Sequence, residues 1–218
     1  MKRHPKEPLR AAHDRALAWP RREPLAGIKA MLAGRSHPRH LLAFRLMLRQ
    51  LRRGQPAAYF DLARPFVDDG QRDCRWQALV VCGEFIATRP EDVWALAAEH
   101  GDAPDEDLRT GVATVLLEHL LELDFERYFP RVASAVRGGA TGLAHTLRLC
   151  WGLATEQHRH VALLLREALG ATEAAHYWSI HGDSQPLPKA AGRQTKARRS
   201  APEKPTQKRA AGSARRKR

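Results

Sequence analysis

The chain has 218 residues, 43% hydrophobic and 6% aromatic, which suffices for one or two ordinary domains with a core. It carries a formal charge of +13, and no apolar run approaches the ~18 residues of a membrane span. The start, Met1-Lys2-Arg3, leads into no apolar leader segment because Arg10, His13, Asp14 and Arg15 interrupt it.

Cys74, Cys82 and Cys150 have no metal-like spacing and lie in apolar helical settings, so reduced, buried thiols in a cytoplasmic protein are expected, with no metal and no cofactor. The charge is uneven. Residues 1–55 hold 14 basic and three acidic groups, residues 56–188 hold 11 and 20, and residues 189–218 hold 12 and one. The ends are basic and the middle is acidic.

Ala, Leu, Arg and Glu dominate and β-branched runs are scarce, which favours helix throughout. Two short helices are expected, near Pro8 to Trp19 and Pro24 to Ala33, with Pro20 and Gly34 as punctuation. Pro38 then opens a longer helix to Arg53, with Leu41, Leu42, Phe44, Leu46, Leu48 and Leu51 on its buried face. Arg45, Arg49, Arg52 and Arg53 fall on one stripe of that helix. Guanidiniums so arranged suit a phosphate backbone, each forking onto oxygens and releasing counterions. A solvated face, or a set of partners for the acidic segment that follows, is the competing reading.

A helix from Gln55 to Phe66 carries Phe60. Asp68-Asp69-Gly70 leads into another, to about Thr88, and Pro90 opens the next, to His100-Gly101. Acidic residues from Asp102 to Asp107 supply capping groups for a helix to Leu123 with a buried stripe of Leu108, Val112, Val115, Leu116, Leu120 and Leu123. A further helix runs from Phe125 to about Val136, closed by Gly138-Gly139. Thr141 to Ala154 and Gln157 to Leu169 make another pair, broken at Gly170, and Thr172 to Ile180 caps the apolar end with Tyr177 and Trp178. Residues 182–188 read as a linker. Beyond them no apolar residue larger than Ala appears, so a disordered tail follows a helical domain of residues 1–181.

A 34-residue period organises the middle of the chain. It places Asp73 on Asp107, Arg75 on Arg109, Val81 on Val115 and Glu84 on Glu118, and sets Phe60, Trp94 and Tyr128 in phase. With Asp107-Leu108-Arg109…Ala113…Leu116 and Asp73-Cys74-Arg75…Ala78-Leu79, the stretch from Asp69 to Gly139 resembles HEAT-type repeats. The resemblance implies an all-α solenoid of about four to five antiparallel helix pairs. It also implies a ladder in which Asp73, Arg75, Asp107 and Arg109 join neighbouring repeats. Outside this stretch the pattern departs, with Leu143 where a third Arg belongs and Arg39 where an Asp belongs.

In such solenoids the second helix of each pair lines the concave side. The phase-equivalent outward stripe comprises Trp76, Val80, Glu84 and Thr88, then Thr110, Thr114, Glu118 and Glu122, with Arg148 continuing it. An acidic stripe repels phosphate and invites a basic peptide from a partner, or the chain's own tail. The tail's cations, among them Lys196, Arg198, Arg199, Lys208, Arg209, Arg215, Arg216, Lys217 and Arg218, suit DNA or RNA by charge alone. Its composition resembles the Ala/Pro/Lys-rich tails of linker-histone-like and bacterial nucleoid proteins.

Catalytic patterns are weak. Glu118 and Glu122 share a helix face, but His119 points about 100° away and no second His stands at a metal-helix spacing. His158 and His160 diverge at i, i+2, and Ser179, His181 and Asp183 are packed into five residues, unlike triad members that converge from separate elements. Trp76, Trp94 and Trp151 on a basic chain invite comparison with helical-repeat glycosylases that excise alkylated bases, yet no Trp is followed a turn later by Asp. The expectation is a non-enzymatic binding scaffold, a monomer, cytoplasmic or nucleoid-associated, that binds a protein through its body and nucleic acid through its ends. A repair glycosylase and a pure protein–protein adaptor remain as alternatives.

Overall fold

The computed structural model describes residues 7–18, 25–51, 57–69, 71–182 and 187, and among the described residues every regular element is helical. None of these helices is long and apolar enough to cross a membrane. Helices α1 (Glu7–Ala18) and α2 (Leu25–Ala33) both pack on α3 (His37–Leu51). Next come α4 (Ala58–Ala63), continued by a 3-10 turn Arg64–Phe66, α5 (Arg72–Gly83) and α6 (Pro90–His100). Helix α7 (Glu106–Val112) passes through a π-helical segment, Ala113–Leu117, into α8 (Glu118–Leu123). The remaining helices are α9 (Phe125–Arg137), α10 (Thr141–Leu147), α11 (Thr155–Leu169) and α12 (Ala171–His181).

Helix α3 packs on α5, α5 on α7 and the π segment, and α7 on α10. Helix α6 meets the π segment and α8, α8 meets α9, α9 meets α11, and α11 meets α12. Leu41, Phe44, Leu46 and Met47 of α3, Leu79 of α5 and Leu116 of the π segment are fully buried. Leu48 and Leu51, expected on the buried face of α3, are only half-buried, while Ala43 and Met47 take their place inside. Leu123, expected in the stripe of the later helix, is exposed.

Three ends fall short of expectation. Helix α5 stops at Gly83, not Thr88, and turns follow. A Cβ on Gly83 would lie 3.0 Å from both the Cγ1 and the carbonyl oxygen of Val115, so any other residue here would push against the π segment. Helix α10 stops at Leu147, not Ala154, and the connection that follows is held from outside, as described below. The Phe60 helix closes as a 3-10 turn where Pro65 supplies no backbone N–H.

Two threonine hydroxyls bond back to the helix ladder at the π segment. Thr110 Oγ1 donates to the Glu106 carbonyl at 2.8 Å and Thr114 Oγ1 to the Thr110 carbonyl at 2.9 Å, competing with the backbone ladder just where it widens.

Gly111 of α7 carries the Trp76 ring of α5. A Cβ there would sit 2.5 Å from Cζ3 of Trp76 and 2.6 Å from Cδ1 of Leu79. A helical Gly→Ala exchange ordinarily gains about 1 kcal/mol, whereas overpacking a filled site costs about 1–3 kcal/mol. Gly111→Ala is therefore expected to lower stability by up to about 2 kcal/mol in urea unfolding. The loss should vanish in a Trp76→Ala, Leu79→Ala background, where the normal helical gain returns.

Candidate functional site

The joint between α5 and α7 is ionic and directional. Asp105 caps α7 by accepting from the Asp107 and Leu108 N–H groups at 2.9 and 3.2 Å. Arg75, its side chain 14% exposed, donates to Asp105 at 2.7 Å and to Asp107 at 3.0 Å, and Arg72 pairs with Asp107 at 2.6 Å. One fork thus ties the inside of one helix to the capped start of the next. Burial alone would raise the Asp105 carboxyl, but the Leu108 N–H and the Arg75 guanidinium together hold it below its ordinary value.

The next step is built differently. Arg109 donates to the carbonyls of Ala103 and Pro104 at 2.6 and 3.0 Å, in its own preceding loop. The helix that follows starts with Thr141 where the period asks for Asp, and Leu143 is buried. There Asp102 accepts from the Leu143 N–H at 3.1 Å and Thr146 donates to the Gly101 carbonyl at 2.6 Å. Asp73, partly buried beside Cys74, helps to raise that thiol.

The in-phase aromatics meet in part. Trp94 and Tyr128 have ring centroids 6.0 Å apart with Arg131 over both, while Phe60 packs edge-on to Phe85 beneath Arg89. Around them, exposed pairs step from helix to helix: Arg89 to Asp61 and Asp92, and Glu91 to Arg127 and Arg131.

The outward stripe divides into three. Trp76 turns inward onto Gly111 and is a packing residue. Glu84 and Thr114 join Val80, Ile86, Val115 and His119 around an open cavity of about 540 Å³ between the end of α5 and the π segment. Thr110 sits half-buried one turn before it. Glu118 and Glu122 face the chain's own 148–154 connection: Glu118 accepts from the Trp151 N–H at 2.5 Å, and both carboxylates lie so close to Gly152 that a Cβ there would strike Glu122 Oε1. Arg148 pairs with Glu173 of α12 at 2.5 Å.

His119 accompanies this arrangement. Its Nδ1 lies 2.8 Å from Glu122, and its ring lines the cavity. A straight helix would turn it well away from the stripe; the π segment upstream is the element that ideal periodicity omits.

Near the carboxyl end, His158 Nδ1 lies 2.6 Å from the Tyr177 hydroxyl, and the His158 ring stacks on His181 at 4.7 Å. Trp151, 62% exposed, meets His181 edge-on. Burial lowers the pKa of His158 against the opposing carbonyls of Trp151 and Leu153; burial and the neighbouring His158 lower that of His181. Ser179 donates to the His176 carbonyl, and Asp183 lies outside the described residues. His160 packs edge-on to Phe125 and Phe129.

The thiols of Cys74, Cys82 and Cys150 are fully buried. Burial, with nearby Asp69 and Asp73, pushes Cys74 to about 12, and burial likewise pushes Cys82 to about 12.

Of the basic stripe, Arg45 and Arg49 are half-buried on α3, and Arg49 donates to the Ala16 carbonyl at the end of α1 at 2.5 Å. A guanidinium engaged there completes a helix C-terminus. Arg52, Arg53 and the tail from Lys196 to Arg218 lie outside the described residues. No family model, no curated protein and no solved structure matches this chain.

Two outcomes are expected. Arg75→Met should cost about 1–2 kcal/mol in urea unfolding, since it strands two partly exposed carboxylates, of which Asp107 keeps Arg72. Arg75→Lys should recover less than half of that, because an ammonium lacks the fork. As for pH, His158 and His181 take up protons less readily folded than unfolded. Stability is thus complete above their ordinary value of 6.5 and falls as the pH drops below it. The thermal midpoint should decline between about pH 7 and pH 5.5, and His158→Gln should flatten that slope.

Proposed function

We propose that this chain is a non-enzymatic, HEAT-like helical-repeat scaffold of about four to five helix pairs that binds a partner protein through its body. Its basic ends, chiefly the tail, associate with DNA or RNA. The observation that carries the reading is the cavity of about 540 Å³ between α5 and the π segment. Its walls are apolar at Val80, Ile86 and Val115, and its rim bears the exposed carboxylate of Glu84. A cleft of that character suits a short segment with one aliphatic anchor and a flanking lysine or arginine.

The assignment of nucleic acid to the tail rests on two points. Residues 189–218 carry 12 cations and one acid, and a charge run of this kind binds phosphate without sequence readout. Arg49 is already spent on the end of α1, which removes one of the four guanidiniums proposed for α3. The non-enzymatic assignment draws support from Glu118 and Glu122, which engage the Trp151 N–H and His119 rather than opening onto a substrate cleft.

DNA binding should be compared between the full chain and a 1–188 truncation across a salt series. The truncation is expected to bind at least about tenfold more weakly at low salt and to lose most of the salt slope. Unchanged binding would move the interface to the helical body. Release of a methylated base from duplex DNA would replace the scaffold by the glycosylase alternative.

A further inference from the structure

The geometry points to a zinc-type metal site, formed by His40, Asp69 and Cys74 where α3, the turn before α5 and α5 itself converge. One ligand atom from each residue lies within 4.8 Å of the other two. Around a tetrahedral ion with bonds of about 2.0–2.3 Å, ligand atoms stand roughly 3.5 Å apart. Closure of about 1 Å, within reach of side-chain adjustment, would bring the three onto one ion.

The contacts of the three side chains leave each with a ligand atom. His40 Nε2 lies 2.6 Å from the Gly34 carbonyl oxygen, which only accepts, so Nε2 carries the hydrogen and Nδ1 of the neutral ring presents the lone pair. A metal-binding histidine characteristically gives its other N–H to such an acceptor. The ring is further held edge-on against Phe66 at 4.9 Å. Asp69 accepts from the Gln71 N–H at 2.6 Å through Oδ1, which leaves its second oxygen for an ion. Cys74 is fully buried in the first turn of α5.

The charges favour a dication. A thiolate and a carboxylate in a half-buried setting repel each other, and one divalent ion neutralises the pair. Binding releases the thiol proton to solvent, so two anionic ligands and one neutral imidazole face the metal. The mixture of sulfur, nitrogen and oxygen selects zinc over calcium or magnesium, which take oxygen alone. Three protein ligands leave a fourth position for water. The ion would clamp α3 to α5, joining the basic amino-terminal helices to the acidic repeat segment.

The test uses the full chain without added histidines, stripped with a chelator and titrated with Co²⁺. We expect one equivalent to bind with a near-ultraviolet thiolate-to-cobalt absorption, Zn²⁺ to displace it, and Zn²⁺ to raise the thermal midpoint. Cys74→Ala should abolish the thiolate band. Asp69→Asn should keep the band but weaken binding by at least about tenfold. Cys82→Ala and Cys150→Ala should change neither. Because Cys74→Ala alters a packed site, Cys74→Ser is the companion variant, with helix content checked for each. Cobalt bound without a thiolate band, a band that survives loss of Cys74, or no binding at all would overturn the site.

Discussion

Most of the described helices in this protein are too short to hold themselves together in water. The longest uninterrupted α-helices, α3 and α11, have 15 residues and several have only six or seven, while isolated helices below about 12–15 residues are marginal even with favourable sequences. Each helix therefore depends on its neighbours for an apolar partner and for the backbone groups left open at its ends. That dependence explains why so many polar contacts link the end of one helix to the flank of another. Asp105 and Asp107 bring α7 to Arg75, Asp102 completes the start of α10, and Arg49 completes the end of α1. In such a chain the joints, more than the helices, carry the specificity of the fold.

The joints are of two kinds and have different consequences. Apolar contacts such as Trp76 on Gly111 tolerate almost no change in volume. The surface pairs around Glu91 and Arg89 are exposed, contribute little each, and weaken in salt. Where both kinds retreat, between the end of α5 and the π segment, the molecule keeps an open cleft. Gly83 permits the close approach that floors one side of it.

Much of the helical order was legible beforehand, because apolar spacing, Pro90, Asp105 and the paired glycines at 138–139 act within a few residues of the features they determine. The helix starts at Glu7, Leu25, His37, Pro90 and Thr155 fall within two residues of expectation. Ends that lie against distant partners were not legible: α5 stops at Gly83, where Val115 lies against it, and α10 stops where the following loop comes under Glu118. For the same reason the stripe from Trp76 to Arg148 divides, since i, i+4 spacing describes one straight helix and not what approaches it. His40, Asp69 and Cys74 come from three elements and share no spacing at all, so their convergence has no linear signature.

The π segment explains the divided stripe. A bulge of this type accommodates an extra residue, and on a helix of 3.6 residues per turn each residue turns the downstream surface by about 100°. Everything after Leu117 is thereby rotated as a block, which sends Glu118 and Glu122 toward Trp151 and Gly152 and leaves Glu84 without a carboxylate neighbour from α8. One surplus residue in the middle of a rod converts a continuous acidic seam into two separate features, an internal anchor for a loop and a lone charge at the mouth of a cleft. In a helix deprived of that residue, the anchor would swing away from the loop it holds.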